Sequence, residues 1–316
     1  MDASVSARFD LSAWAADQAV NVERALSRWV AADAPAGLGD AMRYAVLDGG
    51  KRLRPLLVLA SAEAVAEGLS PSARLALDDA ALRAACAVEL IHAYSLVHDD
   101  MPCMDNDVLR RGKPTVHVRF GEARALLAGD ALQALAFELL TPENAPFSAA
   151  VQARLCQLLA RSAGFDGMAG GQAIDLASVG SVLNEDQLRR MHRLKTGALL
   201  RGSVMMGASC RERDGGVDPA TLAALSDYGD AVGLAFQVVD DILDVTTDTA
   251  TLGKTAGKDA AAEKPTYVSV LGLDRSRAYA QELHAQAISA LERSGLTGAS
   301  TEALRALAGM VVQRDK

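Results

Sequence analysis

Two acid-rich stretches carry the most chemistry per residue. The first reads HDDMPCMDND, with Asp99, Asp100 and Asp105 as its working acids; the second reads DDILD, with Asp240, Asp241 and Asp244. At 100° per residue, Glu89, His92, Ser95 and Asp99 follow at spacings of three, three and four and share one stripe of a helix. The same arithmetic gathers Asp230, Gln237, Asp240, Asp241 and Asp244 into one arc of about 100°. Pro102 must end or bend the first helix, which lets Asp105 return toward Asp99. Two facing sets of buried carboxylates repel unless cations lie between them. Hard oxygen donors without a thiolate pair point to Mg²⁺, which takes a few carboxylates together with water and substrate phosphates.

Basic residues adjoin these acids. Lys51, Arg52 and Arg54 lie in GGKRLRP at the start of a helical stretch, and Arg110 and Arg111 follow the first acid motif in RRGKPT. Arg and Lys beside a helix N-terminus make anion sites. Beside a Mg²⁺ site they form a receptor for diphosphate, one part using metal and another not.

The elements that hold these residues are read as helices. Apolar residues recur with helical period over 11–31, 39–47, 53–66, 73–97, 123–140, 149–163, 187–210, 220–245, 275–292 and 302–312. Breaks fall at Pro71, 142–146, 164–171, 215–219 and 246–265, and no stretch alternates with period two over a useful length. Two segments, 80–97 and 231–245, are apolar on nearly every side and are expected to form the central pair of a bundle. No linker divides the chain, so residues 1–316 are expected to form a single all-α domain.

Composition narrows the function classes. The apolar fraction of 50% supplies a large core, and aromatics at 4% favour helix over sheet. A formal charge of −8 argues against nucleic acid as a partner. Cys86, Cys103, Cys156 and Cys210 form no C-x-x-C pair, which fits a reducing cytoplasm. The N-terminus lacks the apolar core of a signal peptide, and no run reaches the length of a membrane span. A cytoplasmic protein without stable membrane insertion is expected.

In order along the chain stand GGKRLRP, ELIHAYSLVHDDMPCMDNDVLRRGKPT, AGDALQ, GGQAIDL, KTGALL, FQVVDDILDV, LGKTAGKD and KPTY. The chain thereby resembles the short-chain trans-polyprenyl diphosphate synthases, most nearly the bacterial farnesyl type, from about Arg24 onward. The resemblance implies an isoprenoid-synthase bundle around a central cavity, a homodimer, and condensation of an allylic diphosphate with isopentenyl diphosphate. It implies that the six motif aspartates bind Mg²⁺ around the allylic diphosphate. Lys51, Arg54, His92 and Arg111 match the metal-free isopentenyl diphosphate site. Arg110, Lys195 and Lys254 match groups on the allylic diphosphate, Thr196 and Gln237 the place where the allylic cation forms, and Lys264 a group on a flexible loop at 246–265. That loop and the C-terminal VVQRDK, with Arg314 and Lys316, are expected to cover the diphosphates.

Product length follows from what stands below the first motif. Tyr94 lies about 7.5 Å along the helix axis from Asp99, where its ring, beside Ser95, would act as a floor for a fifteen-carbon chain. The alternatives are a twenty-carbon synthase of the same family, a terpene cyclase and a non-catalytic partner subunit. A cyclase leaves GGKRLRP, His92 and Arg111 without a task, and a non-catalytic subunit is expected to have lost acids that are present here. A di-iron protein would need a second E-x-x-H beside Glu89 and His92, and the chain has none. His98 is read as a packing residue, Glu89 as a group that orients His92, and Gln172 with Asp175 as either cavity lining or a structural hydrogen bond.

Overall fold

The computed structural model describes residues 9–47, 49–180, 183–212, 216–246 and 266–314. Helices α1 (Leu11–Trp29), α2 (Leu38–Val46), α3 (Leu53–Ala64) and α4 (Pro71–Asp99) come first. A hairpin of β1 (Leu109–Arg110) and β2 (Lys113–Pro114) leads into α5 (Val116–Phe120), α6 (Glu122–Leu140), α7 (Ala149–Ala163) and α8 (Met168–Ala177). Then α9 (Glu185–His192) runs through a π-helical turn, Arg193–Gly197, into α10 (Ala198–Ala208). The chain closes with α11 (Pro219–Thr246), α12 (Tyr267–Leu271), α13 (Leu273–Arg293) and α14 (Glu302–Val312). The architecture is the expected all-α bundle, with a two-residue hairpin as its one sheet among the described residues.

Helix α4 starts where Ser70 caps the N–H of Ala73 and Pro71 occupies the first turn, which needs no donor there. Every residue from Ala84 to Ile91 is buried. Its 18-residue apolar window makes α4 long and apolar enough to cross a membrane by composition, contrary to the expectation that no segment would be, and 67% of that window is buried inside the bundle. The pair expected at the centre, α4 and α11, both line one cavity. Helix α10, packed on α3, α7 and α11, is enclosed along Gly202–Ala208.

The sequence reading treated 164–171 as a break, but α8 begins at Met168, inside it. Gly171 is there for proximity: a Cβ on it would stand 2.0 Å from the backbone nitrogen of Lys195. Gly233 of α11 approaches the π-turn from the other side, where its Cβ would lie 2.9 Å from the Cα of Gly197. Two glycines thus clamp the turn that carries Lys195 and Thr196. A π-turn of this kind inserts an extra residue and re-aims the side chains around it.

Candidate active site

A cavity of about 540 Å³ opens between α3, α4, the hairpin, α8, the π-turn and α11. Arg54, His92, Tyr94, Ser95, Asp99, Arg110, Arg111, Lys195, Thr196 and Asp240 all line it. Size and lining suit a small amphiphile.

The first acid motif turns as Pro102 requires. The N–H of Asp105 donates to the carbonyl of Asp99 at 2.9 Å, and that of Asp107 to Asp100 at 3.1 Å, so the chain doubles back on the helix end. Burial raises the Asp99 carboxyl to about 6; Lys195 opposes the rise, and the charge of Asp105 adds to it. Adjacent Asp100 has a different task. It is buried and takes three hydrogen bonds from Arg110, from Nε at 3.0 and 2.9 Å and from Nη2 at 2.6 Å. The expected triad is therefore divided: Asp99 and Asp105 lie together, while Asp100 anchors the hairpin.

That hairpin presents Arg111. Its turn places Arg111 and Gly112 at φ +51 and +75, the doubly positive pair that short hairpins favour. Arg111 then donates from Nη1 to the carbonyl of Gly49 at 3.0 Å. Gly50 lies so close below, at φ +117, that a Cβ there would be 2.9 Å from the same Nη1. The paired glycines of GGKRLRP make room for Arg111. Arg52 turns away from the cavity to pair with Glu23 and Glu89, so Glu89 orients Arg52 and not His92.

Arg54 and His92 are short of negative charge. The Nε of Arg54 is buried without a hydrogen-bond partner among the described residues. Burial lowers the Arg54 guanidinium against the pull of Glu89 and Asp240. Burial, then the positive charges of Arg54 and Arg111, hold His92 well below its usual value. Burial likewise lowers Arg111, with Arg52 and Arg110 adding to the effect. Such a cluster is complementary to a polyanion. Lys51 lies at its exposed edge.

The second acid motif splits as the first does. Asp240 faces the cavity and pairs with Arg314 at 2.9 Å. Asp241 is buried and accepts from the backbone N–H of Tyr267 at 2.8 Å and from Gln237 Nε2 at 2.8 Å. Asp244 is buried one turn further and does not line the cavity. Asp230, placed by the helical wheel in the same arc, instead faces Arg193 and Arg201 outside the cavity at 3.7 and 3.5 Å. Asp230 shares the face of Gln237 but stands seven residues, about 10.5 Å, back along the axis, where that face meets Arg193 and Arg201 and not the cavity.

Asp241 also sets the direction of a hydrogen-bond chain. An ionised carboxylate only accepts, so Gln237 must turn its amide nitrogen toward Asp241 and its oxygen toward Thr196. Thr196 then donates its hydroxyl proton to Gln237 Oε1, at 3.1 Å. The lone pairs of Thr196 are left to the cavity. Lys195, next in the π-turn, pairs with Asp175 at 2.5 Å, which makes Asp175 structural. Gln172 lines the cavity, and among the described residues its buried amide has no hydrogen-bond partner on either atom. His98 packs against α6, where a Cβ on Gly129 would lie 2.1 Å from its ring, and its Nε2 is 3.1 Å from the carbonyl of Leu126.

Lys254, Lys264, Lys316 and the loop at 247–265 lie outside the described residues. Arg314, expected to cover a diphosphate, instead pairs with Asp240 and stacks 4.0 Å from the ring of Phe236. Sequence reasoning missed Met168, Ala169, Leu176 and Phe236 as cavity lining. Met168 and Ala169 fall in the stretch read as a break, Leu176 lies one residue past Asp175 on the same helix, and Phe236 precedes Gln237 in the motif FQVVDDILDV.

Residues 35–302 match the family described as Polyprenyl synthetase. The chain belongs to that family. It is 51% identical over 272 residues to a probable farnesyl diphosphate synthase of Bradyrhizobium diazoefficiens, covering 85% of this chain and 79% of that protein. With the farnesyl diphosphate synthase of Escherichia coli it shares 47% over 278 residues, covering 88% and 89%. A geranyltransferase of Helicobacter pylori, solved with magnesium and isoprenyl diphosphate, superposes with a TM-score of 0.83 at 34% identity, covering 98% of this chain and 100% of that one.

Proposed function

We propose that the chain condenses isopentenyl diphosphate with dimethylallyl or geranyl diphosphate to give farnesyl diphosphate in a Mg²⁺-assisted reaction. One observation carries the reading: a single cavity presents Arg54, whose buried Nε has no hydrogen-bond partner among the described residues, and the neighbouring His92, together with acids from two helices, Asp99 and Asp240. Among the described residues no three acids, histidines or cysteines could enclose a metal by themselves. That donor set suits Mg²⁺, which takes one or two carboxylates and completes its shell with water and phosphate. Asp99, Asp105 and Asp240 would hold it, and bound Mg²⁺ would neutralise charge developing on the leaving diphosphate. Asp100, Asp241 and Asp244 are assigned to support.

The remaining roles follow from charge and direction. Arg110 and Lys195 add positive charge beside the leaving group, with Lys254 and Lys264 in the same role beyond the described residues. Lys51, Arg54, His92 and Arg111 hold the diphosphate of the second substrate without metal. When the allylic carbon–oxygen bond breaks, the electron pair leaves with diphosphate and the cation lies near the lone pairs of Thr196, oriented through Gln237. The double bond of isopentenyl diphosphate attacks the cation, and the departing diphosphate takes the proton. No side chain near Thr196 is assigned as a base.

Tyr94 is the proposed floor. Its ring is held edge-on to His98 at 5.6 Å, and both line the cavity. Tyr94→Ala is expected to shift the product from fifteen toward twenty carbons, read by chromatography; an unchanged fifteen-carbon product removes the floor assignment. A cytoplasmic homodimer completes the proposal. Exposed Val118, Leu126 and Leu127 on α5 and α6 offer the apolar face, and sedimentation equilibrium at twice the chain mass is the check. The reaction is tested by incubating labelled isopentenyl diphosphate with each allylic starter, with Mg²⁺ or with EDTA. A fifteen-carbon product with Mg²⁺ alone is expected; no chain-extended product with any starter, or undiminished turnover in EDTA, refutes the reading.

A further inference from the structure

Behind the wall that carries Lys195 lies a second concavity, of about 920 Å³, on the outside of the bundle. Six arginines line it: Arg154 and Arg161 from α7, Arg189 and Arg190 from α9, Arg193 from the π-turn and Arg201 from α10. The acids in the same lining are Asp166, Asp186 and Asp230, so six positive charges against three negative leave a surplus of three. The whole chain carries −8, so the surplus is not a reflection of average composition.

The local pairing is incomplete. Asp230 is shared by Arg193 and Arg201 at 3.7 and 3.5 Å, both longer than a good hydrogen bond. Arg189 pairs with Glu185 at 2.6 Å and its guanidinium lies 5.7 Å from the ring centroid of Tyr279, and among the described residues its buried Nε has no hydrogen-bond partner. Arg161 and Arg190 are exposed, and no hydrogen bond or ion pair engages either guanidinium among the described residues. Arginines converging from four elements into one hollow present forks that match phosphate oxygens. A hollow with an overall acidic protein around it favours a small anion over a nucleic-acid backbone.

The two cavities share their wall. In the π-turn, Arg193 and Leu194 line the outer groove, whereas Lys195 and Thr196 line the inner cavity. On α8, Gly170 and Ile174 face outward, while Gln172 and Ala173 face inward. The turn between them is gripped by Gly171 and Gly233, so a displacement of Arg193 passes to Lys195 with little slack.

We infer that the arginine groove between α7, α9, the π-turn and α10 binds an anion carrying a diphosphate group and thereby repositions Lys195 and Thr196. The choice of diphosphate rests on the proposed reaction, which releases one at every turnover; the groove itself does not depend on that reading. The diphosphate can come free or on a prenyl chain, and Leu158, Ile174 and the 84% exposed Phe165 give a chain something to lie on.

Calorimetry with inorganic diphosphate in EDTA tests the site. Wild type is expected to bind two equivalents per chain, one in the groove and one at Arg54 and His92. Arg161→Gln combined with Arg190→Gln, both exposed and outside the inner cavity, should weaken one equivalent about tenfold or more, and Arg54→Gln should remove the other. Retention of both equivalents by the groove variant, or a wild-type stoichiometry of one that Arg54→Gln abolishes, overturns the groove. If Arg54→Gln changes nothing while the groove variant loses its equivalent, the groove stands and the inner-cavity assignment fails. In the Arg54→Gln protein, farnesyl diphosphate and inorganic diphosphate are compared directly: tighter binding of the former identifies the prenyl source, equal binding the free ion, and failure of both refutes the site. Coupling is read separately as a fall of about fivefold in kcat at saturating substrates on adding diphosphate, absent in the groove variant; an equal response in both proteins refutes it.

Discussion

The acid motifs at the ends of α4 and within α11 divide labour in the same way and differ in what holds them. In each, one member of an adjacent pair faces the cavity and its neighbour, about 100° round the helix, secures the segment that follows. Asp100 secures the hairpin through Arg110, and Asp241 secures α12 through the N–H of Tyr267. The cavity-facing members differ. Asp99 is crowded by Asp105 and raised to about 6 by burial, whereas Asp240 is met by Arg314 from the C-terminus. One wall stores repulsion that a cation would relieve; the other carries a cation of its own that must yield.

The largest test of that division is loss of the cavity-facing acids. Asp99→Ala and Asp240→Ala should each cost about 10³-fold or more in condensation rate, because each removes stabilisation of the leaving group, with far-ultraviolet circular dichroism unchanged. Near-normal turnover in either breaks the comparison. Asp100→Asn should behave as a structural lesion, costing about 2 kcal/mol in urea unfolding because Arg110 loses its buried partner. A loss of activity with no loss of stability would place Asp100 with Asp99 instead.

His192 sharpens the second region, since its ring stacks at 5.5 Å on Tyr267, the residue whose backbone N–H Asp241 holds. Burial takes its imidazole from 6.5 down to about 4. The unfolded chain therefore binds the proton first, and this contribution to stability is intact above pH 6.5 and lost as the pH falls toward 4. The slope is about 1.4 kcal/mol per pH unit. His192→Phe should flatten the urea-unfolding midpoint across that window relative to wild type; equal slopes would contradict it. The smallest effect is expected from Arg314→Gln, which frees Asp240 and should change the Mg²⁺ concentration for half-maximal rate by about threefold, in line with one partly exposed ion pair. No change would mean that the C-terminus does not restrain the second wall.

Much of this was legible in residue types and spacing. The return of the chain after Pro102, the basic cluster near Arg54 and the helical class all follow from local rules. The division inside each acid pair does not, because it depends on Arg110 and Tyr267, partners supplied by later segments. The first turn of α8 was hidden for a related reason: Gly170 and Gly171 read as a break, yet Gly171 permits contact with Lys195. The arc that included Asp230 failed because helical periodicity states which residues share a face and not what that face meets.

The most direct test is Mn²⁺ electron paramagnetic resonance in the presence of a non-cleavable allylic thiolodiphosphate, comparing Asp99→Asn, Asp240→Asn, Asp100→Asn and Asp241→Asn with wild type. The first two should lose bound Mn²⁺, while the last two retain most of it at any temperature below their lowered melting points. Equal loss from all four variants, or retention by Asp99→Asn and Asp240→Asn, would contradict the division of the two motifs.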